Sequence, residues 1–385
     1  MMMALLPRIT GSALQAILIA LCAIDLPAQE QEAAADWKRA LPGWAYEFPR
    51  DHFDHSDFKT EWWYFTGHLH EQGGEGRDFG FQVTFFRQGA RAPGNRSKVS
   101  SRFVQDHFYF GHFAVSDLSA KQFYYTQEIS RGAFDEAGAA SDGGAGDRVV
   151  WLNDWNLTLN ENDGFHTTAH NKEDGVILDM NVVPQKPLVF HGENGVSQKA
   201  AGAGNASHYY SCSRMRATGT MTIGEENISV AGEAWLDREW ATNQLAADQV
   251  GWDWFSLQFK DGSELMIYQL RKNDGSADPV SSGTWIDPAG KSTHLSSDNF
   301  TLTPQKAGTW KSGNSGADYP LRWSIAVPSL GIDVMTSEVM QNQELYLPPL
   351  TYWEGAVKIS GTHEGQGYME LTGYGGTISP LSGSR

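Results

Sequence analysis

"EWWYFTGHLH" (61–70), "EQGGEGR" (71–77) and "DFGFQVTFFRQ" (78–88) read as one unit. Two runs rich in Trp, Phe, Tyr, Val and Thr flank a Gly-rich polar break, which is the pattern of an antiparallel hairpin. The pattern repeats along the chain. "HFYFGHFAVSD" (107–117) and "KQFYYTQEIS" (121–130) flank "LSA"; "DWNLTLN" (154–160), "GFHTTAHN" (164–171) and "GVILDMNVV" (175–183) continue with "ENDG" and "KEDG" between them. Helical periodicity is almost absent. Many short strands at roughly ten-residue spacing, separated by turn signals, predict closed or nearly closed antiparallel barrels. The fold class is therefore all-β.

A weak internal duplication predicts two barrels in tandem. Trp62, Tyr64, Phe65 and Arg87 find counterparts in Trp252, Trp254, Phe255 and Arg271. In the closing strands, Gly219 to "GEAWLD" matches Gly355 to "GYMELT", which sets Asp237 opposite Thr372 and leaves the second barrel without the acid. The expected boundaries are 1–28 for a signal peptide, 29–43 for a linker, 44–243 for the first barrel and 244–385 for the second.

The N-terminus carries Arg8 and then an apolar run from Ala13 to Ala23, with Ala28 ahead of a polar spacer. The run is too short to span a membrane and reads as a secretory signal, so the chain is expected to be exported, to the periplasm or beyond. Lipid attachment at Cys22 is the rival reading. No later run is long enough to cross a bilayer. Cleavage leaves Cys212 without a disulfide partner, and it is expected to be a small buried residue. The formal net charge of −17 argues against nucleic acid and anionic membranes as partners. Protein partners leave no sequence signal.

Several motifs together resemble a known family: "FPRDHFDHSDFKTEWWYFTGHL" (48–69), "KPLVFHGENGVSQK" (186–199), "GNASHYYS" (204–211), "AWLDREW" (234–240), "GWDWFSLQF" (251–259) and "YWEGAVKISG" (352–361). They are similar to exported lipocalin-like proteins related to carotenoid 1,2-hydratase (hydroxyneurosporene synthase), often labelled secreted hydrolases. The resemblance runs from about Trp44 to Gly376. It implies two consecutive lipocalin-like barrels, the first ending near "LDREW". In the resembling hydratases an Asp protonates an isolated double bond and water traps the cation; carried over, that acid is Asp237.

The residues around Asp237 suit such a role. Side chains alternate along a strand, so Glu233, Trp235, Asp237 and Glu239 share one face, and Ala234, Leu236, Arg238 and Trp240 the other. If the first face lines the barrel, burial and neighbouring carboxyls raise the pKa of Asp237 and keep it protonated near neutral pH. Trp235 and one of Tyr209 and Tyr210 would offer aromatic faces to a cation. Trp62, Tyr64, Glu239, Arg238, His52 and His55 are further candidates for lining a substrate site. The competing reading makes "LDREW" a paired charge cluster in which Arg238 holds the two barrels in register.

His52 and His55 sit in "DHFDHSD" beside Asp51, Asp54 and Asp57. Metal ligation needs convergent donors at fixed geometry, and this stretch precedes a strand, so the expectation is a segment plugging the closed end of the first barrel. No metal or other cofactor is predicted. The 192–207 segment reads as a lid or a surface excursion. No G-x-S-x-G elbow or helix-flanked sheet supports a serine hydrolase. Two functions stay open: a hydratase-type lyase on an isoprenoid-like alkene, or a non-catalytic carrier or chaperone of a hydrophobic small molecule.

Overall fold

The computed structural model describes residues 36–74, 76–96, 106–243, 245–348 and 350–375. The predicted signal peptide and Cys22 lie outside the described residues. Among those described, regular structure consists of β-strands and short 3-10 turns, and no helix is long and apolar enough to cross a membrane. A 13-stranded antiparallel sheet curls into a nearly closed barrel, and a 10-stranded sheet forms a half-barrel. The first holds strands from Thr60 to Ala241, the second strands from Gln249 to Thr372.

Nine strands matter for the site. They are β1 (Thr60–Glu71), β2 (Asp78–Gly89), β3 (His107–Asp117), β4 (Ala206–Ile223) and β5 (Glu226–Ala241) in the first sheet. The second sheet supplies β6 (Gln249–Phe259), β7 (Glu264–Lys272), β8 (Leu350–Gly361) and β9 (Gly365–Thr372). Their order is β3-β2-β1-β5-β4 in one sheet and β7-β6-β9-β8 in the other. The opening hairpin is β1 with β2, in a register that puts Tyr64 opposite Thr84.

These strands are buried on both faces. Trp63, Phe65, Phe81, Val83, Phe85, Ala234 and Leu236 pack inside the first barrel, and Cys212 is buried among them. Phe255, Leu257, Ile267, Val357 and Met369 fill the second. Their alternating neighbours face outward, where Tyr64, Tyr209, Trp235, Trp254, Tyr268, Ala356 and Tyr368 form a third apolar cluster between the two sheets. Thus the Trp235–Asp237 face does not line the first barrel; Ala234 and Leu236 do. The reason is that both faces of β5 carry large apolar groups, and alternation separates two faces without saying which one is inside.

The sheets touch closely on those outer faces. The His68 ring lies 2.8 Å from the carbonyl of Gly367. Gly80 has no side chain because the other sheet occupies that space: a Cβ there would lie 2.5 Å from the Tyr368 hydroxyl and 3.3 Å from the Ala356 methyl. Gly80→Val is therefore expected to cost about 1–3 kcal/mol by overpacking. Denaturant unfolding of the two proteins measures this, and an unchanged midpoint would mean that the sheets do not pack at this point.

Candidate functional site

A cavity of about 130 Å³ lies between the outer faces of the two sheets. That is close to the roughly 150 Å³ of cavities that take up a benzene ring. Trp62, Phe86, Leu245 and Trp252 are partly exposed at its edge, while Tyr64, Tyr209, Trp254 and Tyr268 are buried in its wall. Tyr64 and Trp254 meet edge to face, with ring centroids 5.3 Å apart. Four carboxyl side chains line the same space: Asp237, Glu239, Glu354 and Glu370.

Asp237 is 3% exposed. Its Oδ1 accepts hydrogen bonds from the Trp235 indole at 2.6 Å and from the Ser211 hydroxyl, and its Oδ2 accepts one from the Tyr209 hydroxyl at 2.6 Å. Tyr209 in turn accepts the Trp254 indole N–H at 3.2 Å, tying the first sheet to the second. The three donors favour the carboxylate, but no basic side chain pairs with Asp237 among the described residues, and burial wins. Desolvation pushes the carboxyl up to about 7, with the Glu239 charge adding to it.

Glu239 is handled differently. Lys199 Nζ lies 3.1 Å from Glu239 Oε1 and sits 4.3 Å from the centre of the Tyr268 ring. Burial works against the Lys199 charge, but Glu239 and Tyr268 hold its pKa above the ordinary range. Val196–Gln198, just before Lys199, pairs with β4, so this part of the predicted lid is a short strand whose end delivers a cation to the cavity.

The second sheet contributes an equivalent half. Tyr64 stands opposite Asp237 in the β1–β5 register, and Trp254 stands opposite Glu370 in the β6–β9 register. Tyr209 faces Glu239 as Tyr352 faces Thr372. The counterpart of Asp237 is therefore Glu370, not Thr372, and the second half keeps its acid. Burial pushes Glu370 up to about 7 and holds Glu354, which accepts the Tyr64 hydroxyl, well above the carboxylate range. His112 lies 2.7 Å from the Tyr352 hydroxyl, and burial drives its pKa down to about 3, so the ring is neutral.

Of the residues singled out from sequence, Asp237, Tyr209, Trp62, Tyr64 and Glu239 line the cavity. Trp235 supports Asp237 from behind. Tyr210, Arg238, His52 and His55 do not reach it. Tyr210 points to the other face of β4, where its hydroxyl meets the His52 ring at 2.7 Å. Arg238 is no clamp between barrels: it bonds Glu61 at 2.5 Å within the first barrel and lies over the Trp63 ring. His55 stacks on Trp240 with centroids 3.7 Å apart, and His52 offers its carbonyl to the Trp63 indole. Sequence reasoning missed Glu354 and Glu370 and gave Lys199 and His112 no role in the site, although the duplication already marked Trp252 and Trp254.

The model of the AttH-like family matches residues 39–374. The chain belongs to the AttH-like family. A crystal structure of an AttH protein from Nitrosomonas europaea is 34% identical, covers 88% of this AttH-like chain and 99% of its own, and superposes with a TM-score of 0.76. Kievitone hydratase from Nectria haematococca shares the fold at 14% identity, with 89% and 98% of the two chains covered and a TM-score of 0.63. The dehydratase asqC of Emericella nidulans is 24% identical over 265 residues, 65% of this chain and 70% of its own.

The raised pKa of Asp237 has a consequence for stability. Between its ordinary value of 3.8 and about 7, the folded chain holds a proton that the unfolded chain has released. Stability from this group therefore falls as pH rises through that window, by on the order of 4 kcal/mol in full. Asn at position 237 has no charge to bury. The melting temperature of Asp237→Asn relative to the native chain is expected to climb between about pH 4 and about pH 7 and to level off above that; a constant difference would contradict the raised pKa.

Proposed function

We propose that this AttH-like protein adds water to, or removes it from, a carbon–carbon double bond of a small apolar molecule, with Asp237 as the acid. One observation carries the reading: a buried carboxyl near neutral pKa stands in the wall of an aromatic cavity. The names of two relatives, a hydratase and a dehydratase, support the same reaction class. Carotenoid-1,2-hydratase-like addition to an isolated, isoprenoid-like double bond is the specific form favoured by the sequence motifs. The cavity fits one ring-sized end of such a molecule. The apolar N-terminal run supports action outside the cytoplasm.

The donors around Asp237 assign its proton. Oδ1 already accepts two hydrogen bonds, whereas Oδ2 accepts only the Tyr209 hydroxyl, so the acid proton rides on Oδ2. Tyr209 and Trp235 fix the carboxyl in place. Protonation of a double bond creates a cation, and the Tyr64 and Trp254 ring faces with the neighbouring carboxyls are suited to stabilise it.

The substrate is sought by mass spectrometry of small molecules that co-purify from the native host, followed by turnover in ¹⁸O-water. Asp237→Asn is expected to lower the rate at least about a hundredfold while preserving the fold. The native rate of hydration is expected to fall as pH rises through about 7, because the protonated acid is the form active in that direction. Native turnover by Asp237→Asn would overturn the proposal. A ligand retained but never altered by the native chain would mark it as a carrier.

A further inference from the structure

Glu354 and Glu370 stand directly opposite each other on β8 and β9. Glu354 is 2% exposed, its Oε1 accepts the Tyr64 hydroxyl, and its Oε2 has no partner. Glu370 is partly exposed and accepts the Thr372 hydroxyl at 2.8 Å. Among the described residues neither pairs with a basic side chain; the cavity's lysine, Lys199, is engaged by Glu239. A second, independent polar atom in the same lining is also unsatisfied: the side-chain oxygen of the buried Gln82, whose amide donates to Tyr352 at 3.0 Å. Buried oxygens of this kind are normally hydrogen-bonded, so two of them beside one cavity call for a donor from a ligand.

We propose that Glu354 and Glu370 form the oxygen-binding half of the cavity, holding the water or hydroxyl that adds to or leaves the carbon served by Asp237. The proposal rests on the hydration or dehydration reading above and assigns the polar end of its substrate. Two carboxyls facing each other without a cation do not both ionise, and the pair shares one proton. Burial raises both carboxyls, and the Glu370 charge adds to it at Glu354, in agreement with this. A pair with one proton offers one donor and several acceptors. A hydroxyl group, itself donor and acceptor, satisfies both; an ammonium satisfies the acceptors alone and a carboxylate the donor alone.

The hydration step then balances. The alkene π pair takes the Asp237 proton, the water oxygen bonds to the resulting cation, and the water's proton passes to Glu370. Asp237 ends as carboxylate and Glu370 as acid. Dehydration is the same path reversed, with Glu370 protonating the departing hydroxyl and Asp237 accepting the carbon's proton.

Binding of single-ring probes tests this without any turnover, so its outcome is separate from that of Asp237→Asn. Calorimetric titration with toluene, benzyl alcohol and benzylammonium is made on the native protein, E354L and E370L. Benzyl alcohol is expected to bind the native protein at least about tenfold more tightly than toluene. In each leucine variant that ratio should fall towards one, with toluene affinity retained as the sign of an intact cavity. Equal native affinities for alcohol and toluene would overturn the proposal, as would an unchanged ratio in both variants. Tighter binding of benzylammonium than of benzyl alcohol would also overturn it, making the pair a cation site.

Discussion

Two sheets pressed together by their outer faces leave a pocket in which charge is expensive, and most of the site's properties follow from that contact. Strands β1, β5, β6 and β9 each serve two cores, one inside their own barrel and one between barrels. Water is therefore scarce around the carboxyls they carry outward. Asp237 keeps three hydrogen-bond donors that would suit a carboxylate, yet desolvation outweighs them. Arg238, next in sequence, lies on the opposite face and offers Asp237 no ion pair; its charge is spent on Glu61. A carboxyl in this position keeps its proton to about pH 7 because it is buried among rings and other acids.

The duplicated architecture explains how the cavity acquires several such groups. Tyr64 and Asp237 in the first half correspond to Trp254 and Glu370 in the second. The halves differ where it matters for chemistry. Ser211, which donates to Asp237, is replaced in the other half by Glu354 opposite Glu370, and Glu239 with its Lys199 partner is replaced by Thr372. One half thus presents a single oriented acid beside a neutralised carboxylate. The other presents a carboxyl pair. These differences give the cavity two chemically distinct ends.

Much of the fold was legible from strand patterning. The hairpin at 61–88, the paucity of helix and the doubled Trp and Tyr positions all pointed to two antiparallel barrels. The face of β5 was not legible, because Leu236 and Trp235 are equally good core residues, and nothing local says that a second sheet will cover the outer side. The pairing of Asp237 with Thr372 failed through a two-residue offset between loosely similar strands; hydrogen-bond register, which fixes Trp254 against Glu370, is a long-range property. Glu354 was hidden for the same reason, since the Tyr64 hydroxyl it accepts comes from 290 residues earlier in the chain. Tyr210, His52 and His55 were drawn in by proximity in sequence to Tyr209 and by their motif, but alternation and the entry segment send them to the first barrel's own packing.

The account depends on a buried, neutral Asp237 at the junction of the two sheets. Infrared difference spectroscopy of the native protein against Asp237→Asn, taken through a pH titration, reads that proton directly. A protonated-carboxyl absorption that belongs to Asp237, persists at pH 6 and disappears around pH 7 is the predicted result. Loss of that absorption near pH 4, the value of an ordinary aspartate, would contradict the account.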